Sequence, residues 1–366
     1  MTKPQFEPNF YAVVPAGGVG SRLWPLSRIS SPKFLLDFTG SGRSLLQETF
    51  ARLVGFLPPE RIFVVTGSAH ADAVASQLPN LAEANLIVEP EPRESTAAIA
   101  LAAAIIRSEN PDAIIGSFAA DHVIGDVAAF ESTVATAVTR AQVGEIVTIG
   151  IEPSAPSSAF GYIKVGDELA PGVARVDAFV EKPSRPVAEG YLASGEYLWN
   201  AGMFIARADR LLAAIELTEP ELARTVEQLA TGWRAAGAKA DPPQLWSQLK
   251  RIAIDYSVAE PAAARSEMSV VRASFDWTDV GDFNSLAEFA SGEGDGMTSL
   301  GDVRVVSIDA TGLVVGSGGK TIAVAGLQDV VVVDTADALL ITRRDNAQTT
   351  KEIVEELRRA GHDEVL

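Results

Sequence analysis

From Tyr11 onward, short uniformly apolar runs alternate with segments whose apolar positions recur every three or four residues. Tyr11-Ala-Val-Val-Pro15 reads as a buried strand, and Arg61 to Thr66, Leu86 to Val88 and Ala113 to Phe118 repeat that pattern. Between them fall helical stretches at Ser44 to Val54, Ser68 to Leu78 and the alanine-rich Ser95 to Arg107. Ser44 with Gln47 three residues later has the form of a capping box. The strand–helix alternation predicts an α/β fold, a mainly parallel sheet with helices on both faces. Ligands of such sheets bind at the carboxyl ends of strands, where the glycine-rich segment after Pro15 and Asp121 both fall.

From Glu145 to Ala206 the pattern becomes strand-rich, with runs at 146–151, 160–165, 174–180 and 202–206, and helical segments return over 208–249. These strands are expected to extend the sheet and build the second wall of a cleft. Ser291 to Gly296 has three glycines among polar residues, which suits a linker. Beyond it, five strand-like runs between Val303 and Thr342 precede a helix at 346–359. The expected division is a first domain over 1–290, a linker over 291–300 and a small β-rich domain over 301–366. A short left-handed β-helix is a candidate form for the latter, although five runs do not establish a repeat.

Composition narrows the chemistry. The 366 residues carry 30 basic and 48 acidic side chains, a formal net charge of −18, so sequence-independent nucleic-acid binding is not expected. Any phosphate chemistry belongs in a local basic pocket within an acidic shell. No cysteine is present, which removes disulfides, thiolate catalysis and Cys-ligated metals. His70, His122 and His362 are scattered. The start of the chain lacks a signal-type apolar region, and its most apolar stretch, Ala97 to Ile106, is too short to span a bilayer. A soluble, cytoplasmic protein without a membrane partner is expected.

The segment Ala16-Gly17-Gly18-Val19-Gly20-Ser21-Arg22-Leu23-Trp24-Pro25 follows the first strand. Its glycines can expose successive backbone N–H groups to a phosphate, and Arg22 adds a planar fork of donors. A P-loop would need Gly-Lys-Ser/Thr at its end, and a dinucleotide fingerprint counted from Gly18 would need glycine at Leu23. Lys33, after Pro32, is spaced to bring a second cation to the same phosphates. On its own, Lys33 would read as an exposed turn residue.

Ala-Gly-Gly-Val-Gly-Ser-Arg-Leu-Trp-Pro-Leu-Ser-Arg28, followed by Pro32-Lys33, resembles the signature of the sugar-1-phosphate nucleotidyltransferase family. Leu23 to Arg28 is most similar to its mannose-1-phosphate guanylyltransferase branch. Lys33 is followed directly by Phe34, where many members place a glutamine. The likeness persists through most of residues 11–285. It implies a Rossmann-like fold, GTP and mannose 1-phosphate as substrates, and Mg2+ as the metal. Arg22, Lys33 and Lys182 would be catalytic, and Ala16, Gly17, Gly18, Gly20 and Ser21 would cradle the nucleotide.

Glu89 to Ala100 resembles the family's base and ribose segment, with Glu89, Thr96 and Ala97 as candidate nucleotide contacts. A carboxylate at Glu89 would accept from the N1–H and N2–H of guanine, although a solvated loop carboxylate reads as well there. Asp121 would hold Mg2+ against the phosphates and border the sugar phosphate, and Asp279, in Asp276-Trp-Thr-Asp279-Val-Gly281, would supply a second carboxylate. In Phe179-Val-Glu181-Lys182-Pro183, Lys182 would neutralise the sugar phosphate and Glu181 would accept from hexose hydroxyls. Gly161 and Asn200 complete the sugar-phosphate set. Residues 297–366 are expected to serve packing or homodimer contacts. A different nucleotide or hexose, or a non-catalytic nucleotide-sugar-binding subunit, are the rival readings. The last would be expected to lack one of these cations or carboxylates, and none is missing.

Overall fold

The computed structural model describes residues 7–236, 243–291 and 296–366. The strands are β1 (Phe10–Ala16), β2 (Ile62–Gly67), β3 (Leu86–Glu89), β4 (Ile114–Ser117), β5 (Val123–Ile124), β6 (Ile146–Ile151), β7 (Tyr162–Ala170), β8 (Val173–Val180), β9 (Tyr197–Arg207), β10 (Met268–Arg272) and β11 (Trp277–Thr278). Six more, β12 (Met297–Gly301), β13 (Arg304–Ile308), β14 (Gly312–Gly316), β15 (Thr321–Ala325), β16 (Val330–Asp334) and β17 (Leu339–Arg343), lie towards the C-terminus. The helices are α1 (Leu45–Val54), α2 (Ala71–Gln77), α3 (Glu94–Glu109), α4 (Val127–Gln142), α5 (Arg185–Ser194), α6 (Ala208–Thr218), α7 (Pro220–Ala236), α8 (Pro243–Ser247), α9 (Glu260–Ala264), α10 (Phe283–Ser291) and α11 (Thr350–Ala360). No helix among the described residues is long and apolar enough to cross a membrane.

The chain forms two compact units. The first takes residues up to Gly17, Phe50–Ala120 and Ile124–Trp277, and the second takes Gly18–Thr49, Asp121–Val123 and Thr278–Leu366. The linker expected at 291–300 falls partly on 292–295, outside the described residues.

The first unit holds a nine-stranded sheet in the order β3-β2-β1-β4-β9-β6-β10-β8-β7. The β3-β2-β1-β4 half is parallel, as is β6–β10. The strand-rich middle of the sequence extends the sheet as expected, but through antiparallel pairings of β9 with β4, β6 and β7 and of β8 with β7 and β10. The parallel strands are apolar almost throughout because helices cover both faces. Val13, Phe63, Val65, Ile87 and Ile115 belong to the core cluster of α3. On the opposite pleat Phe10 meets Phe118 edge-on at 6.5 Å, and Phe118 meets Phe130 of α4 at 5.8 Å. Helix α3 is buried from Thr96 to Ile106, so it is apolar around its whole circumference.

In the second unit, β12, β14 and β16 stack in parallel, as do β13 and β15, and β17 closes the first ladder antiparallel. Two parallel ladders built from successive coils are the pattern of a β-helix. Its core joins Leu313, Val315, Val331 and Val333 to Leu23 and Trp24 of the glycine-rich segment and to Val354 of α11. The capping box at the start of α1 is present: Gln47 N donates to Ser44 Oγ at 3.2 Å, and Ser44 N donates to Gln47 Oε1 at 3.0 Å.

Candidate active site

The glycine loop leaves β1 at Ala16. A Cβ at Gly17 or Gly18 would meet nothing within 4 Å, so packing does not demand glycine there, and both residues are exposed. Gly20 differs: its φ is 76°, and a Cβ would lie 2.7 Å from Lys33 Cβ. Only glycine combines that backbone with that approach. The loop folds back over Lys33, whose N–H donates to the Val19 carbonyl at 3.2 Å. Ser21 opens the short 3-10 turn Ser21–Leu23.

Lys33 is 5 % exposed, an uncommon position for a lysine without partners. Its ammonium lies 2.8 Å from Asp121 and 3.8 Å from Asp279 Oδ1, and it also donates to the Asp279 carbonyl. Burial works to lower the Lys33 pKa, but Asp121 and Asp279 outweigh it and the value is raised. Burial likewise works to raise Asp121, yet Lys33 beside it holds the carboxyl below its usual range. Arg22 stands near enough for its charge to oppose that of Lys33, and among the described residues it has no carboxylate partner. Oδ1 of Asp279 is buried and accepts no hydrogen bond. Two hard carboxylates, one with a free oxygen, fit a cation such as Mg2+ that takes its other ligands from phosphate and water. No group of three or more His, Cys, Asp or Glu gathers as a metal site among the described residues.

Apart from Asp121, the residues expected at the sugar phosphate gather in the first unit. Gly161 precedes β7, and a Cβ there would fall 2.5 Å from Glu181 Oε2 and 3.3 Å from Asn200 Cβ. Glu181 follows β8 with its side chain 4 % exposed, ion-paired to the half-exposed Lys182. Lys182 adopts φ 47°. Burial works to lower its pKa, but the hydrogen bond and charge of Glu181 outweigh that and the value is raised. Asn200 lies on β9 opposite Gly150, beside an irregularity in the β6–β9 register, a common device for aiming a side chain. Its Oδ1 accepts from Thr148 Oγ1 at 2.9 Å and from Gly202 N at 3.1 Å, while Nδ2 donates to Asp255 Oδ1 at 2.9 Å.

Asp255 escapes the reading of the sequence. It opens a π-helical turn, Asp255–Ala259, a distortion frequent at functional sites. Burial first, then the charge of Glu181, pushes its carboxyl up to about 6, against the opposing pull of Lys182. Glu260 adds a third carboxylate, accepting from Glu181 N at 3.2 Å. Phe160 lies edge-on to Trp199 at 5.0 Å and to Trp277 at 5.2 Å.

The expected nucleotide contacts of the first unit divide. Glu89 ends β3 with 5 % exposure; burial raises its carboxyl to about 7, and Oε1 has no hydrogen-bond partner. Thr96 and Ala97 are fully buried in α3. The Thr96 hydroxyl pairs with Ser257 Oγ at 2.8 Å and its N–H donates to Ile252 O at 3.3 Å. Thr96 therefore braces the segment that carries Asp255 and presents no free polar group of its side chain. Asp121 groups with Lys33 and Asp279 in the second unit, not with Gly161, Glu181 and Asn200 in the first.

Residues 11–295 match the nucleotidyl transferase family model, and residues 303–357 match the mannoseP isomerase/GMP-like beta-helix domain. The chain is 37% identical over 358 residues to the xanthan biosynthesis protein XanB of Xanthomonas campestris pv. campestris, covering 96% of this chain and 74% of that protein. It is 36% identical over 373 residues to the mannose-1-phosphate guanylyltransferase of Escherichia coli K12, covering 97% and 75% respectively. The crystal structure of a mannose-1-phosphate geranyltransferase from Thermus thermophilus superposes with a TM-score of 0.85 at 31% identity, over 96% of this chain and 99% of that one. With the family model spanning most of its length, this chain belongs to the nucleotidyl transferase family.

Proposed function

We propose that this protein transfers GMP from GTP to mannose 1-phosphate, giving GDP-mannose and pyrophosphate. The observation that carries the reading is Lys33, buried against Asp121 and Asp279 beside Arg22 and open glycine amides. In a chain of net charge −18, this is a local arrangement suited to a triphosphate and a divalent cation. Relatives named mannose-1-phosphate guanylyltransferase support the choice of nucleotide and sugar.

Each residue set supplies what one reactant needs. The amides of Gly17, Gly18 and Gly20, with Ala16 and Ser21 at the ends of the loop, cradle phosphate oxygens, and Arg22 and Lys33 offset their charge. Glu89 accepts from guanine N1–H and N2–H. Lys182 holds the phosphate of mannose 1-phosphate, while Glu181, Asn200 and Asp255 bond its hydroxyls and Gly161 keeps the space beside Glu181 open. An oxygen of that phosphate attacks the α-phosphorus in line, the bond from the α-phosphorus to the bridging oxygen breaks, and pyrophosphate leaves. The attacking oxygen is already deprotonated at neutral pH, so the residues align and neutralise without acting as a base. The family generally uses a divalent metal; Asp121 and Asp279 would hold Mg2+ here, which supplies charge neutralisation at the triphosphate. We place the reaction in the cytoplasm, where GTP is available.

The test is pyrophosphate release by the purified protein with Mg2+, pairing each NTP with mannose and glucose 1-phosphates. The expected result is turnover with GTP and mannose 1-phosphate well above every other pair. Preference for another pair overturns the specificity, and no turnover with any pair overturns the activity.

A further inference from the structure

Part of the signature segment, Trp24 to Arg28, makes no contribution to the chemistry above, yet its polar groups are engaged. Trp24 Nε1 donates to the Val365 carbonyl at 2.6 Å, and Arg28 Nη1 donates to the same carbonyl. Arg28 Nη2 lies 2.7 Å from Asp337 Oδ1 and 3.4 Å from Thr335 Oγ1, while Nε donates to Pro25 O at 2.8 Å. The guanidinium stands 5.7 Å from the Trp24 ring centre. Thr335 and Asp337 belong to the turn between β16 and β17, which is closed by Thr335 N donating to Ala338 O at 2.9 Å. Next to Arg28, Ser27 Oγ donates to the Gly20 carbonyl at 2.5 Å, and Gly20 lies against Lys33. A polar chain therefore runs from the β16–β17 turn and Val365 through Arg28 and Ser27 to the loop residue that covers Lys33.

An open cleft borders this segment. A cavity of 240 Å³ is bounded by Val19, Ser21, Trp24, Arg28, Val354 and Arg358. Trp24 packs into the β-helix core on one side of this cleft, and the hydrogen bonds of Arg28 hold the polar side of the segment.

We propose that Arg28, with Trp24, is a positioning residue through which Asp337 and Val365 set the glycine loop and Lys33 for the triphosphate. The β-helix then has a role in the rate as well as in packing. This rests on the reading of the loop as the triphosphate site. Lysine cannot replace the fork of Arg28, because its single ammonium cannot span Asp337, Val365 and Pro25 together.

The experiment compares Arg28→Met, Arg28→Lys, Asp337→Ala, the double variant Arg28→Met/Asp337→Ala, and Val331→Ala as a core control. For Arg28→Met, kcat is expected to fall roughly ten- to a hundredfold, with a higher KM for GTP and an unchanged KM for mannose 1-phosphate. Asp337→Ala shifts the same parameters less, the double variant is no worse than Arg28→Met, and Arg28→Lys is intermediate. Val331→Ala lowers the Tm but leaves kcat at 25 °C near wild type. Trypsin supplies a readout independent of turnover: cleavage after Arg22 accelerates several-fold in Arg28→Met. Wild-type kcat in Arg28→Met, or losses in Val331→Ala that match it, overturn the proposal. So does unchanged cleavage after Arg22, even if the wild-type enzyme turns over no substrate pair and the activity reading itself has failed.

Discussion

The side-chain amide of Asn200 donates to Oδ1 of Asp255 across 2.9 Å, joining a residue of β9 to the first residue of a π-helical turn. The bond orients both groups, and on the proposed reading Asp255 then accepts from a sugar hydroxyl. Asp255→Asn should raise the KM for mannose 1-phosphate about tenfold, the worth of one hydrogen bond to a charged group, and leave the KM for GTP unchanged. Because its carboxyl sits at about 6, the wild-type KM for the sugar phosphate should also climb below pH 6. Initial rates between pH 5 and 8 measure both effects, with the Asn variant as the control for titration of the substrate.

Gly161 tests the same cluster from the opposite side. Gly161→Ala places a methyl group 2.5 Å from Glu181 Oε2, and Glu181 is too buried to move freely. The expected cost is about 1–3 kcal/mol of stability together with a raised KM for mannose 1-phosphate. Chemical denaturation and steady-state kinetics report the two parts separately.

Lys33→Met removes the cation from between two carboxylates. With Asp121 and Asp279 left facing one another, stability should fall by about 2 kcal/mol, and kcat by at least a hundredfold. Mg2+ should then raise the Tm of the variant by more than it raises that of the wild type, since it replaces the missing charge. Thermal scans with and without Mg2+ decide the matter. No rise in Tm with Mg2+ in the variant would show that the two aspartates do not form a cation site.

Glu89 predicts a pH dependence of stability. Its carboxyl is raised from 4.5 to about 7 by burial, so the folded state binds more protons than the unfolded state between those values. Stability from this group is therefore present below pH 4.5 and lost as pH rises to 7. Relative to wild type, Glu89→Gln should gain up to ~3 kcal/mol at pH 8 compared with pH 4.5. On the proposed reading, the same substitution should remove any fall in the KM for GTP between pH 6 and 8, because only the ionised carboxylate can accept from both N1–H and N2–H of guanine. Urea unfolding at the two pH values gives the first quantity.

The parallel half of the sheet was legible because its strands are buried on both faces and so read as unbroken apolar runs, as in Ile62 to Val65. Helix α4 was overlooked despite a clear signal: Asp126 caps it by accepting from Ala129 N at 3.0 Å, and Phe130, Val134, Ala137, Val138 and Ala141 form its buried stripe. The π-helical turn at 255–259 had no comparable signal, since its geometry departs from the 3.6-residue period on which helix reading depends. Its clue was an acidic residue among the buried Ile254, Ser257, Val258 and Ala259. Taken alone, Lys33 reads as an exposed turn residue because Asp279, which helps to bury it, lies 246 residues away in the chain.

That separation has a consequence for the order in which the protein is made. The second unit is stitched from residues 18–49, 121–123 and 278–366. At about 5–20 residues per second, a ribosome that has emitted Lys33 needs roughly tens of seconds more to reach Asp279. Throughout that interval the nascent chain lacks its second carboxylate and the β-helix coils. The sheet waits almost as long, because β10 (Met268–Arg272) lies between β6 and β8, so the sheet and the proposed triphosphate site both close only late in synthesis.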